Sequence, residues 1–501
     1  MPSYRTRRAA WFLPALLLWS ACRAPFESDI TPNQPPSSAP LLPLRIGSIG
    51  PDFARAVATD GAGNAYVAGY FSGTVDFDAG SGATVRSATG GYDISVASYT
   101  ANGSFRWVYT IGGADADVPY AAKLAPDGAL YVTGYITSGA ICSGRVLRNG
   151  GGRDVLLMRI SAAGTCDWAI TMGGSGNDEG HDLVVDSNGD VLVTGLFSGT
   201  VDFDPDSGSA LLVSRGGTDG FVARYGANGG FKAVAQFGGA GDDAGNAIAL
   251  RADGDPIIGG VFSSIATFGS ALAPQLLASV GGLDYFVARL APTLGLQWAI
   301  RGGGPGNDQI NSGGIVAATN GVIYVAGTFT GTANIGGAVA TSHGDADVFV
   351  ANYDGAGTWL GFTRTFGGSG TDGVSAFARD ASGNLYLAGS FQGTLDFDPG
   401  AGTHVVNGRG TGGAADGYVL SLTPAGDFRW VDPISATIAG DLNFGIVGGI
   451  SLASDGTIWA VGRFFGVVDF APGGTAVVRQ AVGDADQFVV RYDQTSGAIR
   501  R

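Results

Sequence analysis

Glutamate and lysine are scarce in this chain. Only two of its 43 acidic residues are glutamate, Glu27 and Glu179, and only two of its 28 basic residues are lysine, Lys123 and Lys232. Glutamate and lysine favour helices, whereas aspartate and glycine favour turns. With 87 glycines among 501 residues, the composition predicts an all-β chain with many tight turns.

The chain also lacks the motifs of common catalytic and metal centres. Its three histidines, His181, His343 and His404, lie at non-equivalent places and show no H-E-x-x-H spacing, and no P-loop or G-x-S-x-G elbow occurs. His181 follows a turn and neighbours Glu179, so one interpretation gives it a catalytic role near the centre of the fold. The alternative, which we favour, is a solvated histidine in a turn.

Positive charge is in short supply. The formal net charge is −15, and removal of residues 1–21, which carry three arginines and no acidic residue, changes it to −18. A chain this acidic has no basic stripe for nucleic acid and is repelled by anionic lipid surfaces. We therefore expect no nucleic-acid partner.

The first 22 residues have the features of an export signal. Three arginines precede the apolar run Ala9–Leu18, which is too short to span a membrane, and small residues then lead to Cys22. This end resembles the lipobox of bacterial lipoproteins, which implies that Cys22 is lipidated. Trp19 stands where that family has a small aliphatic residue, and the alternative is an ordinary cleaved signal.

Residues 23–41 form a segment rich in proline and serine, with TPNQPPSSAP at its centre. Such sequence stays extended and does not pack into a core. We expect a tether here, so that membrane contact comes through the lipid anchor alone.

One strand motif occurs seven times, at intervals of 61 to 73 residues. A strand of this regularity indicates one supersecondary unit stacked on copies of itself. The copies are Gly63–Phe71, Gly128–Ile136, Gly189–Phe197, Gly254–Phe262, Gly321–Phe329, Gly383–Phe391 and Gly456–Phe464.

Each repeat contains three further strand signals. One begins with aspartate, as in Asp93–Tyr99; another ends at a glycine pair, as in Phe105–Gly113; the last is rich in small residues, as in Ala54–Asp60. Four antiparallel strands per repeat predict a seven-bladed β-propeller over residues 42–501. The alternative is a solenoid, although solenoid repeats are usually shorter.

The two ends of the repeat region complement each other. The seventh repeat stops after Asp486–Tyr492 and lacks its last strand, whereas Leu42–Asp52 has the pattern of that strand. We expect the N-terminal strand to complete the last blade and close the ring. The alternative is that Leu42–Asp52 is only a lead-in.

In combination, these signatures are similar to the bacterial β-propeller repeat called SBBP. The match is close in Asp60–Phe77, Asp186–Tyr225 and Asp380–Phe397, whereas the second and fourth repeats lack the G-T-V-D-F segment. The resemblance implies a propeller on an exported or surface protein of bacteria. It implies no common enzymatic activity, and the fold alone does not set function.

Two cysteines, Cys142 and Cys166, lie 24 residues apart in the second repeat. In an exported protein such a pair favours a disulfide. Two independent core thiols are the alternative.

Aspartates at alternate positions follow some of the strand motifs. The segment DFDPDSG contains Asp202, Asp204 and Asp206 before a glycine, a spacing that resembles the start of a calcium loop. No acidic residue stands at the twelfth position, where an EF-hand needs glutamate. Calcium is one interpretation; the other is a turn whose aspartates accept hydrogen bonds from backbone amides.

A second aspartate recurs where one repeat joins the next. In a closed ring these carboxylates share one face, where they attract a cation or a basic partner, or else each one caps a turn against the neighbouring blade. The regular recurrence favours the structural role. The set is Asp52, Asp117, Asp178, Asp243, Asp308, Asp372 and Asp441.

These features favour a non-enzymatic, lipid-anchored scaffold of the cell envelope, a binding or assembly protein whose partner is an envelope protein or glycan. An exported propeller lyase or hydrolase is the first alternative, and a calcium-dependent adhesin is the second. Non-equivalent polar residues near the axis favour the enzyme, and a near-symmetric face favours the scaffold. No cofactor other than calcium is expected.

Overall fold

A computed structural model describes residues 42–206, 208–410, 414–437, 444–472 and 474–500. These residues belong to one compact body, Ser38–Arg501. The expected signal and tether, with the lipidation candidate Cys22, lie outside the described residues, as does Asp441. No helix occurs among the described residues, and therefore none that could span a membrane. The prediction of an all-β chain is confirmed for this part of the molecule.

The strands form seven four-stranded antiparallel arrays, here called sheets 1 to 7 in chain order. Sheet 1 contains β2 (Phe53–Thr59), β3 (Ala65–Phe71), β6 (Asp93–Tyr99) and β7 (Phe105–Ile111). Sheet 2 contains β8 (Val118–Leu124), β9 (Leu130–Ile136), β12 (Asp154–Ile160) and β13 (Cys166–Met172). Sheet 3 contains β14 (Glu179–Val185), β15 (Val191–Asp202), β16 (Leu211–Tyr225) and β17 (Phe231–Gly239).

The later sheets repeat this order. Sheet 4 contains β18 (Ala244–Leu250), β19 (Pro256–Phe262), β22 (Asp284–Leu290) and β23 (Leu296–Gly302). Sheet 5 contains β24 (Gln309–Ala317), β25 (Ile323–Ile335), β26 (Ala338–Tyr353) and β27 (Trp359–Phe366). Sheet 6 contains β28 (Gly373–Arg379), β29 (Leu385–Phe391), β32 (Asp416–Leu422) and β33 (Phe428–Ala436).

Sheet 7 takes its fourth strand from the other end of the chain. Its first three strands are β34 (Phe444–Leu452), β35 (Thr457–Asp469) and β36 (Val478–Asp493), and the fourth is β1 (Leu44–Ile46). β1 runs antiparallel to β36, with Leu44 opposite Val489 and Ile46 opposite Gln487. Leu44 and Ile46 are buried, so this pairing adds apolar contacts to its backbone hydrogen bonds.

Hairpins extend the second and third strands. In sheets 3, 5 and 7 the extension is continuous with those strands. Elsewhere the hairpins are β4 (Thr74–Asp76) with β5 (Val85–Ser87), β10 (Ala140–Cys142) with β11 (Arg145–Leu147), β20 (Ile265–Phe268) with β21 (Gln275–Ala278), and β30 (Thr394–Asp396) with β31 (Val405–Asn407). Short pairings of β17 with β20 and of β33 with β35 connect neighbouring sheets.

The hydrophobic core lies between sheets rather than within any one of them. The second strands of sheets 1, 2 and 4 are buried along their whole length. Burial on both faces explains why these segments are apolar runs with little alternation. Seven apolar clusters of the described residues each combine side chains from two sheets that follow one another, and the cluster between sheets 7 and 1 contains Leu44, Val67 and Trp459.

First strands contact one another in sequence. β2 contacts β8, and the same contact recurs from β8 to β14, to β18, to β24, to β28 and to β34. β34 in turn contacts β2. The side chains of the seven first strands are therefore brought towards a common region.

Candidate functional site

The junction aspartates hold consecutive sheets together. In Asp178, Oδ2 accepts a hydrogen bond from Gly174 N at 2.8 Å, and Oδ1 accepts one from Ser198 N at 2.9 Å. The backbone N–H of Asp178 donates to the carbonyl oxygen of Arg153, 2.7 Å away in sheet 2. Five equivalent residues make the same three bonds: Asp52, Asp117, Asp243, Asp308 and Asp372. This geometry agrees with the structural interpretation of the set.

Burial gives these carboxyl groups unusual titration behaviour. It raises the pKa of Asp52 to about 7 and the pKa of Asp178 to about 6, although backbone amides partly oppose the rise. A second buried carboxyl lies close by, on the third strand of the preceding sheet; these residues are Asp93, Asp154, Asp219, Asp284, Asp347 and Asp486. Burial raises the pKa of Asp154 to about 7, and the charge of Asp178 adds to this rise. Six junctions in the described part of the chain therefore place two buried carboxyl groups close together.

The glycine pairs that end the fourth strands fit against these carboxyl groups. A Cβ atom at Gly173 lies only 2.2 Å from Asp154 Cγ, and one at Gly112 lies 2.4 Å from Asp93 Cγ. The second glycine of each pair donates its N–H to the junction aspartate, as Gly113 does to Asp117 at 2.7 Å. The glycine pair is thus explained by two needs. Its first residue leaves space for the carboxyl group of the third strand, and its second residue donates a hydrogen bond to the junction aspartate.

The calcium candidates Asp202, Asp204 and Asp206 lie in the hairpin loop of sheet 3. Asp202 Oδ1 accepts hydrogen bonds from Asp204 N at 3.1 Å and Ala210 N at 2.7 Å, and Asp204 Oδ1 accepts one from Asp206 N at 3.2 Å. In the described residues, no three acidic, histidine or cysteine side chains converge as a metal site. The structure therefore does not bring the three together as ligands, and calcium binding stays a prediction.

A disulfide joins Cys142 on the hairpin of sheet 2 to Cys166 on β13, with Cα atoms 5.9 Å apart. Both residues are buried. The bond fixes the hairpin to the outer strand of the same sheet.

His181 is not a solvated turn residue, and that interpretation was wrong. It lies within β14, and its side chain is only 13% exposed. Its Nδ1 is 3.0 Å from Asn246 Oδ1. By contrast, His343 is exposed beside Asp347, and His404 stacks on Phe428 with ring centroids 4.4 Å apart. Only His181 occupies the inner region of the fold.

His181 owes its position to a β-bulge that recurs in every first strand. The pairing with the second strand skips one residue in six sheets and four residues in sheet 5. A bulge leaves a residue outside the ladder and redirects its side chain. The first or only skipped residues, here called the bulge residues, are Arg55, Tyr120, His181, Asn246, Asn311, Ser375 and Gly448.

Six of the seven bulge residues line one cavity of about 340 Å³, here called the first-strand cavity. A volume in this range is typical of small-molecule sites. The cavity also receives Lys123 and Asp182. Both carboxylate oxygens of Asp182 have hydrogen-bond partners: Oδ1 accepts from Leu183 N at 2.9 Å, and Oδ2 accepts from Ile248 N at 3.0 Å.

A hydrogen-bonded network runs along one side of this cavity. Tyr120 donates to Glu179 Oε2 at 3.0 Å, and His181 Nε2 lies 3.5 Å from the same oxygen. Arg153 donates to Glu179 Oε1 at 2.5 Å. On the far side of His181, Asn246 Nδ2 donates to the carbonyl oxygen of Ile310 at 3.0 Å. The network spans sheets 2 to 5.

The environment shifts the pKa values of Glu179 and Tyr120 in opposite directions, so neither group titrates near pH 7. Burial by itself raises the pKa of Glu179, but hydrogen bonds from His181, Arg153 and Tyr120 outweigh burial and lower it to about 2. Burial raises the pKa of Tyr120, and the charge of Glu179 raises it further. At neutral pH Glu179 is a fixed anion and Tyr120 a fixed donor. Groups of this kind position a ligand better than they transfer a proton.

Aromatic rings and arginines form the neighbouring wall. The Arg55 guanidinium carbon lies 4.9 Å from the ring centroid of Tyr120, 5.1 Å from that of Phe53 and 5.8 Å from that of Tyr70. Arg153 lies over Tyr135 at 4.5 Å. At the positions that match Phe53 in the first strands, sheets 4 and 6 carry Ala244 and Gly373. The bulky side chains thus line one side only.

The sequence contains a signal for this site that emerges only when the repeats are aligned with one another. In six repeats the bulge residue lies three positions after the junction aspartate, as Arg55 follows Asp52 and His181 follows Asp178. Alignment of the repeats on that aspartate gives a column of Arg, Tyr, His, Asn, Asn and Ser. Such a variable polar column contrasts with the small and apolar residues around it.

No family model matches the chain, so its resemblance to the SBBP repeat stays a prediction. The regulatory protein FlaEY of Caulobacter vibrioides is 26% identical over 422 residues, which cover 80% of this chain but only 42% of that protein. A protein of unknown function from Bacteroides caccae has a TM-score of 0.28 and 11% identity, over 64% of this chain and 92% of its own. The GH43 protein BlXynB of Bacillus licheniformis has a TM-score of 0.25 and 11% identity, over 90% of this chain and 96% of its own. These likenesses do not define a family for the chain.

Proposed function

We propose that residues 42–501 form a closed seven-bladed β-propeller that acts as a binding module of the bacterial cell envelope. Three observations support the ring: β1 pairs with β36, β34 contacts β2, and an apolar cluster lies between sheets 7 and 1. In such a ring the first strands surround the axis, and the first-strand cavity lies in the central channel.

One observation carries the binding function. Residues that hold the sheets together recur from repeat to repeat, whereas the bulge residues differ, as Arg55, Tyr120 and Asn311 do. Recurrence is expected of scaffold positions, and variation of polar residues at the axis is expected of a site for one asymmetric ligand. An envelope glycan fits this wall of aromatic rings and planar polar groups, since both contact sugars well.

Export and lipidation belong to the same proposal. The basic start and apolar run of residues 1–22 support export, and Cys22 supplies the thiol for the lipid. With a lipid on Cys22, residues 23–41 serve as the tether between membrane and propeller.

The binding function can be tested by the retention of a variant without the lipid-bearing cysteine on isolated cell envelopes. The full chain with Cys22→Ser cannot be anchored, so sedimentation of this variant with isolated envelopes reports binding by the folded part. We expect Cys22→Ser to co-sediment and Cys22→Ser/Arg55→Ala to remain in the supernatant, with equal melting temperatures. Equal retention of both proteins contradicts the proposed site.

An exported propeller lyase or hydrolase is the second candidate, favoured by the contact of His181 with Glu179 and Asn246. The same mixture distinguishes the two functions. A catalyst releases soluble oligosaccharides from the envelopes over time, and a binding module releases none. Loss of such products in His181→Gln, with retention unchanged, assigns the enzyme.

A further inference from the structure

Two buried polar atoms of the first-strand cavity have no partner within the described residues. They are Nε of Arg55, which is a charged donor, and Oδ1 of Asn311, which is an acceptor. Both residues line the same cavity, on sheets 1 and 5. A buried donor or acceptor without a partner costs free energy, so each one marks a place that a ligand atom can occupy.

Arg55 is held in place for such a ligand. Its guanidinium lies against the rings of Phe53, Tyr70 and Tyr120, which restrict its orientation. Within the described part of the chain no carboxylate forms an ion pair with it, whereas Arg153 is paired with Glu179. A guanidinium presents a planar fork of donors that matches a carboxylate. The free fork of Arg55 therefore selects for a planar anion.

The other charges of the cavity agree with an anionic ligand. Lys123 is exposed and lines the cavity, so it adds a second cation to Arg55. Glu179 is paired with Arg153, and Asp182 is the one carboxylate among the described residues that line the cavity, so the two cations exceed it by one charge. The cavity is thus locally cationic although the chain carries a net charge of −15. Such a local field attracts small anions into an otherwise repulsive molecule.

We propose that the first-strand cavity binds a hydroxylated carboxylate of the sugar-acid class, with its carboxylate on Arg55 and a hydroxyl group donating to Asn311. This inference rests on the proposed binding function and names its ligand class. Tyr120, Phe53 and Tyr70 orient the guanidinium, and Lys123 contributes long-range attraction.

Titration of the full chain with D-glucuronate, D-glucose and acetate tests the two proposed contacts, the carboxylate on Arg55 and the hydroxyl on Asn311. We expect measurable binding of glucuronate and a dissociation constant at least about 10-fold weaker for each of the others, because glucose lacks the charged hydrogen bond to Arg55 and acetate leaves the buried acceptor of Asn311 without a donor. Glucose as strong as glucuronate overturns the carboxylate on Arg55. Acetate as strong as glucuronate overturns the hydroxyl on Asn311. Inorganic phosphate as strong as glucuronate shows a site for any anion and also overturns the inference.

Variants assign the two contacts. Arg55→Met should weaken glucuronate binding at least about 10-fold, and Arg55→Lys should recover only part of the loss because lysine keeps the charge without the fork. Asn311→Ala should weaken glucuronate without changing acetate. Arg86→Met, at an arginine of the β4–β5 hairpin that does not line the cavity, serves as the matched control and should bind normally. Full recovery by lysine, or equal losses in Arg86→Met, overturns the assignment.

The envelope experiment separates the failure of this inference from that of the function. If Cys22→Ser is retained on envelopes through Arg55 but glucuronate does not bind, the ligand class is wrong and the binding module stands. If Cys22→Ser is not retained on envelopes and glucuronate does not bind, the binding function and the ligand class both fail.

Discussion

Arg45 Nη1 lies 2.8 Å from Asp486 Oδ2, although 441 positions separate the two residues in the chain. The pair joins β1 to β36 beside the backbone ladder of sheet 7. Burial raises the pKa of Asp486, and the charge and hydrogen bond of Arg45 partly oppose that rise. The cation thus compensates a carboxyl group that the fold has removed from water.

Loss of this cation should weaken sheet 7. We expect Arg45→Met to lower the free energy of unfolding by about 1 kcal/mol, a modest value because the arginine is partly exposed and solvent screens the pair. Urea unfolding measures the change. Arg86→Met is the matched control, since within the described residues the hydrogen bond recorded for the Arg86 side chain is the one from Nη1 to the carbonyl oxygen of Val85. An equal effect of the two substitutions contradicts a specific role for Arg45.

The glycine pairs lead to a steric prediction. Gly173→Ala places a methyl group 2.2 Å from Asp154 Cγ, which forces backbone or carboxyl to move. Overpacking of this kind costs about 1–3 kcal/mol. Gly61→Ala is the control, since nothing lies within 4 Å of a Cβ there. The melting temperature should fall for Gly173→Ala and hold for Gly61→Ala, and addition of Asp154→Ala should recover part of the loss.

The buried carboxyl groups predict that stability falls as the pH rises towards 8. Burial raises the pKa of Asp52 and Asp154 to about 7 and that of Asp178 to about 6, whereas an unfolded aspartate has a pKa of about 3.9. A raised folded pKa gives stability that is complete below the unfolded pKa and is lost as pH rises through the folded pKa. The melting temperature should therefore be several degrees higher at pH 5 than at pH 8.

A neutral substitution checks the source of that slope. Asp154→Asn removes one titrating group whose Oδ1 has no hydrogen-bond partner among the described residues. The slope of the unfolding free energy between pH 5 and 8 should become shallower by up to about 1.4 kcal/mol per pH unit, the limit for one proton. An unchanged slope means that other groups cause the pH dependence.

The hairpin aspartates give a test that separates turn chemistry from calcium. Asp202 Oδ1 accepts two backbone amides, and the amide oxygen of asparagine can accept the same bonds. Asp202→Asn should therefore keep the melting temperature, whereas Asp202→Ala should lower the unfolding free energy by about 1–3 kcal/mol. Melts in calcium and in EDTA complete the test. A calcium-dependent rise that Asp202→Asn abolishes makes the loop a metal site.

Local patterns in the sequence predicted individual strands closely. The segments that begin with aspartate, such as Asp93–Tyr99 and Asp284–Leu290, are observed strands with the same bounds. Apolar runs bounded by glycine and aspartate leave few alternatives to a buried strand. The position of β1 was also accessible, because Leu42–Asp52 repeats the pattern that the seventh repeat lacks.

The bulges were not accessible in the same way. A skipped residue depends on the pairing of two strands, and a single strand such as Glu179–Val185 does not reveal where its partner will slip. Read as a single strand, the sequence therefore favours a turn for His181, and nothing in β2 alone marks Arg55. The aspartate pairs at the junctions were hidden for a related reason, because they join residues of different repeats, such as Asp154 and Asp178.

A residue that a β-ladder skips is not paired with the neighbouring strand, so the pairing does not restrict which side chain it carries. The backbone pairing continues on both sides of Arg55, Tyr120 and Asn311. Exchange of their side chains therefore changes the lining of the cavity while the strands around it stay paired. Six of the seven bulge residues line the first-strand cavity, so under the proposed function the chain is a binding frame whose ligand contacts are set at these positions. Mutation at these positions, in evolution or by design, can then change the ligand preference. The hydrogen bonds of the junction aspartates keep the arrangement of the sheets constant.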